Sequence, residues 1–261
     1  MCDIISVEYH VFGGRMENSG KTLGILGGLG PMSSVYFYQM LTQHTKACRD
    51  QQHLNILLSS RSDTPDRTDF ILGRSNENPL CVMRSEAQKL VGAGADIIAI
   101  PCNTAHYFYE GITNAVDVPV INIIRQTAIY CKRSGLGRVG LLATEGTVSS
   151  GAYTDIFSVA DVECVVPSEE EQGVISEIIY GQIKSGREPD MTAFMSVAQS
   201  LVDKGCEKII LGCTELSLLK KSCAADLNVF IDSLEILAYS AIRMCGKEPV
   251  GFDSSIMSFR V

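Results

Sequence analysis

The sequence predicts an α/β protein made of two similar open parallel sheets, and two observations carry this prediction. Short, almost continuously apolar runs alternate with longer helix-like segments, a pattern typical of a parallel sheet covered by helices on both faces. In addition, part of the first half of the chain recurs in the second half. We therefore expect two pseudo-symmetric αβα domains rather than one closed barrel.

Eight apolar runs account for the predicted strands. They cover residues 22–28, 54–60, 96–101, 118–123, 138–144, 162–167, 208–212 and 228–232. Pro31 follows the first run and marks a helix start, because proline is well tolerated at the first helical position. Further helices are expected over residues 80–91, from about 104, over 168–185 and over 189–204.

An internal repeat divides the chain. AQKLVGAGADIIAIPC at 87–102 aligns without a gap with AQSLVDKGCEKIILGC at 198–213, and LGILGGLGPMSS at 23–34 aligns with VGLLATEGTVSS at 139–150. The two offsets, 111 and 116 residues, differ by no more than a loop insertion. The alternative is that any two βα units of one fold look alike.

The repeat predicts the domain organisation. We expect a first α/β domain over residues 21–122, completed by a C-terminal helix at about 234–250, and a second over 123–233. Residues 1–20 are expected to be an N-terminal extension, either disordered or marking an upstream start.

Composition narrows the classes of function. The 261 residues carry 22 Lys and Arg against 30 Asp and Glu, a net charge of −8, which disfavours binding to nucleic acid or anionic membranes. The absence of an apolar run of 18 residues argues against a membrane span. The N-terminus has no recognisable secretory signal, so we expect a cytoplasmic protein.

Ten cysteines need an explanation. A cytoplasmic protein keeps its thiols reduced, and no C-x-x-C pair is present, so zinc-ribbon and thioredoxin interpretations fail and no metal site is expected. Most of these cysteines are interpreted as small buried apolar residues.

Cys102 and Cys213 are exceptions because the repeat makes them equivalent. Each ends an apolar run and begins a helix, and ligands of open α/β sheets bind at the carboxyl ends of strands. A helix N-terminus is expected to lower a thiol pKa. Facing each other across one cleft, the two thiols would suit two-base proton transfer, in which one group removes a proton and the other returns one.

Four segments carry a family resemblance: GILGGLGP, TPDRT, PCNTAH and LGCTE, in this order. They resemble the aspartate/glutamate racemase superfamily, and its aspartate racemase branch in particular, from about Lys21 to Met244. The resemblance implies two α/β domains with the active site between them, Cys102 and Cys213 as acid/base thiols, an amino-acid substrate, no cofactor, and a homodimer.

The sequence departs from glutamate racemase at two places. Glutamate racemases carry an Asp-Ser pair where this chain has the segment 27–31, GGLGP, and a His where it has Glu215. Both departures favour aspartate or a broader range of substrates. Two cysteines favour a racemase over the more distant arylmalonate decarboxylase, which needs one proton donor.

The resemblance also implies that charged residues bind the substrate. Asp66 and Arg67 match the family's acidic-basic pair, and an arginine there holds a substrate carboxylate bidentately. The alternative is a solvated ion pair in a surface turn. Lys184 matches a lysine of the cleft, and the alternative is a helix-end lysine that interacts with the dipole.

Polar residues beside the cysteines complete the expected pocket. Asn103 and Thr104 are expected to bind the α-amino and α-carboxylate groups, with Thr214 as their counterpart from the other domain. Glu215 is expected to accept from the substrate ammonium, unless it is an exposed first-turn glutamate.

Three further residues are open to two interpretations. Thr147 and Ser149 either close the same pocket or cap the next helix. His106 lies one helical turn beyond Cys102 and is either a member of the cleft or a structural histidine.

Other functions remain as alternatives. GGLGPMS at 27–33 approaches the dinucleotide-binding G-x-G-x-x-G pattern but lacks its third glycine. A hydantoin racemase, a maleate isomerase or a non-catalytic binding protein on the same fold would also share these motifs.

Overall fold

The computed structural model describes residues 20–222 and 227–259. The predicted extension of residues 1–20 therefore lies outside the described residues, except for Gly20. Within the described part, no helix is long and apolar enough to cross a bilayer.

Two four-stranded parallel sheets form the centre of the molecule. The strands are β1 (Thr22–Gly27), β2 (Asn55–Ser60), β3 (Ile97–Ala99), β4 (Val120–Ile121), β5 (Arg138–Leu142), β6 (Glu163–Val165), β7 (Lys208–Leu211) and β8 (Phe230–Asp232). Their orders are β2-β1-β3-β4 and β6-β5-β7-β8, so adding four to each strand number converts one sheet into the other. The predicted fold class is confirmed, and the sheets define what we call the first and second halves.

Helices connect the strands. They are α1 (Pro31–Gln43), α2 (Arg67–Ile71), α3 (Leu80–Gly92), α4 (Tyr109–Thr113), α5 (Ile123–Arg133), α6 (Glu145–Ser149), α7 (Ala152–Val159), α8 (Glu169–Ser176), α9 (Met191–Asp203), α10 (Thr214–Ser222), α11 (Ser233–Met244) and α12 (Ser254–Met257). Short 3-10 helices cover Asp50–Gln52, Thr104–Phe108 and Leu227–Val229, and a π-helical segment covers Glu177–Ile183.

Sequence signals explain several helix ends. Helix α1 begins at Pro31 as expected, and α8 begins with a capping box between Ser168 and Glu171, which satisfies otherwise unpaired backbone donors. Helix α11 ends at Met244, earlier than the expected residue 250. The chain leaves the helix through Gly246, whose φ of +77° is readily adopted only by glycine.

One apolar cluster joins the two halves. It includes Leu23 of β1, Leu141 of β5 and Leu237 of α11, all essentially inaccessible to solvent. Helix α11 packs against α1, α5, β3 and β4. The boundaries of the two predicted domains stay a prediction.

Candidate active site

A cleft between the carboxyl ends of the two sheets collects both candidate thiols. It is lined by Leu29, Asp66, Arg67, Thr68, Cys102, Asn103, Thr104, Thr144, Tyr180, Lys184, Cys213, Thr214 and Glu215. Cys102 follows β3 and Cys213 follows β7, the corresponding strand of the second sheet. Their residues are 7% and 5% exposed, so the two thiols share a nearly closed space.

The Cys213 thiol donates a hydrogen bond to a buried carboxylate. Its Sγ lies 3.1 Å from Oε2 of Glu215, and the Thr214 hydroxyl donates to the same oxygen at 3.4 Å. Burial raises the pKa of the Cys213 thiol well above its usual value, and the charge of Glu215 adds to this rise, while Lys184 opposes it. The expected lowering of this pKa by the helix N-terminus is wrong for Cys213, because burial and the carboxylate act in the opposite direction.

Lys184 provides the positive charge beside this thiol. Its Nζ lies 2.8 Å from Oε1 of Glu215 and 5.4 Å from the centroid of the Tyr180 ring. Burial by itself lowers the pKa of Lys184, but Glu215 and the cleft thiols outweigh it and leave the pKa raised. Lys184 is therefore a protonated side chain of the cleft wall, and Glu215 is buried rather than an exposed first-turn glutamate.

Cys102 has a different environment. Among the described residues its thiol has no hydrogen-bond partner, whereas its carbonyl oxygen lies 2.9 Å from Nδ1 of His106. The amide of Ile123 donates to Nε2 of the same ring at 3.2 Å, so Nδ1 carries the proton and donates to Cys102. Burial lowers the pKa of His106, and the neutral ring acts as a structural brace.

Arg67 is buried without a carboxylate partner among the described residues. Its guanidinium donates to three backbone carbonyl oxygens at 3.1 to 3.3 Å, those of Leu29, Thr64 and Pro65. Its Nε atom has no partner in the described part of the chain. Asp66 instead caps α2 by accepting from the amide of Asp69. The solvated ion pair is therefore wrong as an interpretation of Arg67.

Asn103 links the halves. Its Oδ1 accepts from the Tyr153 hydroxyl at 2.7 Å, and its Nδ2 donates to Ser233 Oγ at 3.1 Å. One amide hydrogen is left for a ligand, so Asn103 contributes less to the pocket than the sequence led us to expect.

Three threonine hydroxyls form a closed triangle at the wall of the cleft. Thr104, Thr144 and Thr147 lie 2.9 Å from one another, oxygen to oxygen. Thr144 is the N-cap of α6, accepting from the amide of Thr147. Thr147 thus contacts Thr104 through its hydroxyl and is neither a helix cap nor a lining residue of the cleft. Ser149, the other candidate, is exposed.

Four lining residues were missed by sequence reasoning: Leu29, Thr68, Thr144 and Tyr180. The Tyr180 hydroxyl donates to Thr68 Oγ1 at 2.7 Å, which joins the second half to the first across the cleft. Thr144 follows β5 as Cys213 follows β7, so its strand-end position was a usable signal. Tyr180 precedes Lys184 by one helical turn, and this spacing is the signal for Tyr180.

Fold and cleft together define a class: α/β enzymes in which two similar halves each place one cysteine at a shared site. The chain belongs to the Asp/Glu/Hydantoin racemase family, whose model matches residues 26–241, and it is an isomerase. This membership argues against the dinucleotide-binding alternative.

Individual relatives agree with this assignment. The chain is 26% identical over 224 residues to the broad specificity amino-acid racemase RacX of Bacillus subtilis, covering 84% of this chain and 96% of the relative. The aspartate racemase of Picrophilus torridus superposes with a TM-score of 0.77 at 29% identity, covering 92% of this chain and 100% of that one. A glutamate racemase of Francisella tularensis in complex with D-glutamate shares the fold, with a TM-score of 0.58 at 21% identity over 86% of this chain and 82% of that one.

Proposed function

We propose that this chain is an amino-acid racemase that acts on aspartate, or on a range that includes it, with Cys102 and Cys213 as its two acid/base groups. One observation carries the proposal: corresponding strands of the two halves bring one cysteine each to the same buried cleft. Two groups on opposite sides of a substrate are what inversion at a carbon atom requires.

The reaction balances with the two thiols alone. A thiolate on one side accepts the α-proton, and the thiol on the other side donates its proton to the opposite face of the planar intermediate. The two sulfur atoms have then exchanged protonation states, and proton exchange with solvent restores the first state. Whichever cation meets the α-carboxylate, Arg67 or Lys184, would stabilise the negative charge that develops there.

The charges of the cleft favour an acidic substrate. Arg67 is a buried cation held by carbonyl oxygens, and Lys184 is a second cation on the same cleft. A dicarboxylate such as aspartate offers an anion to each, whereas a neutral hydantoin offers none. The Picrophilus relative is named an aspartate racemase, which supports an acidic substrate, and the Bacillus relative is named a broad specificity amino-acid racemase, which supports a range.

The remaining residues would orient the substrate. The free amide hydrogen of Asn103 is placed to donate to a carboxylate. The hydroxyls of Thr104 and Thr214 line the same cleft and would donate to the substrate in place of their contacts with the neighbouring threonines and with Glu215. Thr147 would support Thr104, and Asp66 would hold Arg67 in place through α2. A homodimer and a cytoplasmic location belong to the proposal as well, and size-exclusion chromatography tests the dimer.

Proton exchange in D₂O tests the function. NMR would follow the loss of the α-proton signal for L- and D-forms of a panel of amino acids, with a hydantoin and maleate included. We expect aspartate to exchange and racemise, and Cys102→Ser and Cys213→Ser each to lower racemisation at least about 10³-fold, because a hydroxyl is a far weaker acid than a thiol.

The control is Cys81→Ser, which makes the same substitution at an exposed thiol of α3 and should leave activity unchanged. Wild-type protein that exchanges no amino acid, or that isomerises only maleate or the hydantoin, contradicts the proposal.

A further inference from the structure

Both carboxylate oxygens of Glu215 are already engaged by side chains of the protein. Oε1 accepts from Lys184 at 2.8 Å, and Oε2 accepts from the Cys213 thiol at 3.1 Å and from Thr214 at 3.4 Å. The residue is 5% exposed. A carboxylate so enclosed is better suited to control the groups that it touches than to bind a ligand.

Among the groups that contact Glu215, the Cys213 thiol matters most for the chemistry. Cys213 donates its proton toward Glu215, and a thiolate at the same position would lie 3.1 Å from a carboxylate oxygen. Two negative charges at that distance repel each other in a site with little water. The carboxylate therefore favours the protonated form of Cys213.

The position of the first half that the repeat makes equivalent to Glu215 carries no carboxylate. The residues after Cys102 are Asn103 and Thr104, where Cys213 is followed by Thr214 and Glu215. Asn103 is neutral and turns its side chain to Tyr153 and Ser233. The two thiols are thus equivalent in the repeat and unequal in charge environment.

We propose that Glu215 is a positioning residue that keeps Cys213 protonated, so that the resting enzyme presents Cys213 as the proton donor and Cys102 as the proton acceptor. This rests on the proposed function and gives Glu215 a different role from binding the substrate ammonium. The enantiomer whose α-proton faces Cys102 meets the enzyme in its resting form. The opposite enantiomer requires the form in which Cys213 is a thiolate beside Glu215.

Alkylation of the two thiols tests whether Cys102 and Cys213 differ in protonation, and it requires no turnover. Iodoacetamide labelling between about pH 6 and pH 10 would be quantified for each cysteine by mass spectrometry of its peptide. A plot of labelling rate against pH has an inflection for each cysteine. In the wild type we expect the inflection of Cys213 at higher pH than that of Cys102. In Glu215→Gln the Cys213 inflection should fall by about one pH unit or more, because a like charge has been removed and Lys184 remains.

Other titratable groups line the cleft that holds Cys213 and must be held constant in this comparison. They are Lys184, Tyr180, Cys102, Asp66 and Arg67. Glu215→Asp keeps the charge and should keep the Cys213 inflection high. Glu145→Gln is the matched control: it removes a first-turn glutamate of α6 that pairs with Arg74 and should leave both inflections unchanged.

Steady-state kinetics give a second readout. Enantiomers have equal free energy, so kcat/KM must be the same in both directions, and the inequality can appear only in kcat and KM separately. We expect the two directions to differ in both constants in the wild type and to become more alike in Glu215→Gln.

A wild-type Cys102 inflection at or above that of Cys213 overturns the inference, whether or not any variant folds. So does a Glu215→Gln protein in which neither inflection moves, or in which both move equally. If the labelling pattern holds but no substrate is racemised, the proposed function fails and the inequality of the thiols stands.

Discussion

The two halves of the molecule share a topology but surround their cysteines differently. Cys213 precedes the nine-residue α10, and its thiol donates to Glu215. Cys102 precedes a five-residue 3-10 helix, and it is the backbone of Cys102 that is held, by His106. The repeat thus preserves where each thiol lies, while the residues that follow each cysteine give the two thiols different surroundings.

Among the substitutions considered, Gly30→Ala is expected to disturb the surroundings of Cys213 most strongly. Gly30 has a φ of +130°, and a Cβ there would lie 2.4 Å from Oε1 of Glu215, a residue of the other half. Backbone strain and overpacking together should cost about 2–6 kcal/mol of the free energy of unfolding. Urea denaturation measures this cost, and alkylation shows whether the displaced carboxylate changes Cys213 more than Cys102.

Gly73→Ala separates strain from collision. Gly73 also has a positive φ, +70°, but a Cβ there would meet nothing within 4 Å, so the cost should be about 1–2 kcal/mol. Equal losses of stability in the two variants would show that the close approach of Glu215 to Gly30 adds nothing to the cost of Gly30→Ala.

His106, which braces the backbone of Cys102, makes the folding stability depend on pH. Burial lowers the pKa of His106 in the folded state, so the unfolded chain binds the proton more tightly, with an ordinary pKa of about 6.5. The stability from the neutral ring is therefore complete above that value and is lost as the pH falls toward the lowered pKa. Urea unfolding at about pH 7.5 and pH 5.5 should show this loss in the wild type.

His106→Gln should flatten that pH dependence and destabilise the fold by about 1–3 kcal/mol at neutral pH, because buried backbone groups lose a partner. His44→Gln alters a half-buried histidine that bonds to Val250 and stacks on Phe252, and should keep the pH-dependent loss. A pH dependence that survives in His106→Gln would show that other groups cause it.

Tyr180→Phe tests the connection between the halves and has the smallest expected effect. It removes one hydrogen bond to Thr68, worth about 1 kcal/mol. Tyr130→Phe removes a comparable bond to Ser255 away from the cleft. Similar urea stabilities are expected, but only Tyr180→Phe should speed alkylation of both cleft thiols. Equal alkylation rates in the two variants would mean that this bond does not limit opening of the cleft.

Much of the scaffold was predictable because it depends on local apolar patterns. All eight strands lie within or beside the expected runs, and Pro31 begins α1 as expected. The strand-end position of both cysteines followed from the same patterns together with the repeat. These features require only the order of apolar and polar residues along the chain.

The electrostatics of the site were not predictable in the same way. The raised pKa of Cys213 depends on burial and on a carboxylate whose direction no sequence pattern reveals. The contact between Tyr180 and Thr68 joins residues 112 positions apart, and Tyr180 lies in a π-helical segment. Such long-range arrangements arise only when the halves pack together.

The way in which Arg67 is held has a consequence for the order in which anions are recruited. Its guanidinium rests on neutral carbonyl oxygens, so an incoming carboxylate cancels a charge there without displacing another anion. At Lys184 the same carboxylate must compete with Glu215. With the dicarboxylate substrate that we propose, Arg67 would bind the first carboxylate, and Lys184 would bind the second only in a ligand that Arg67 already holds.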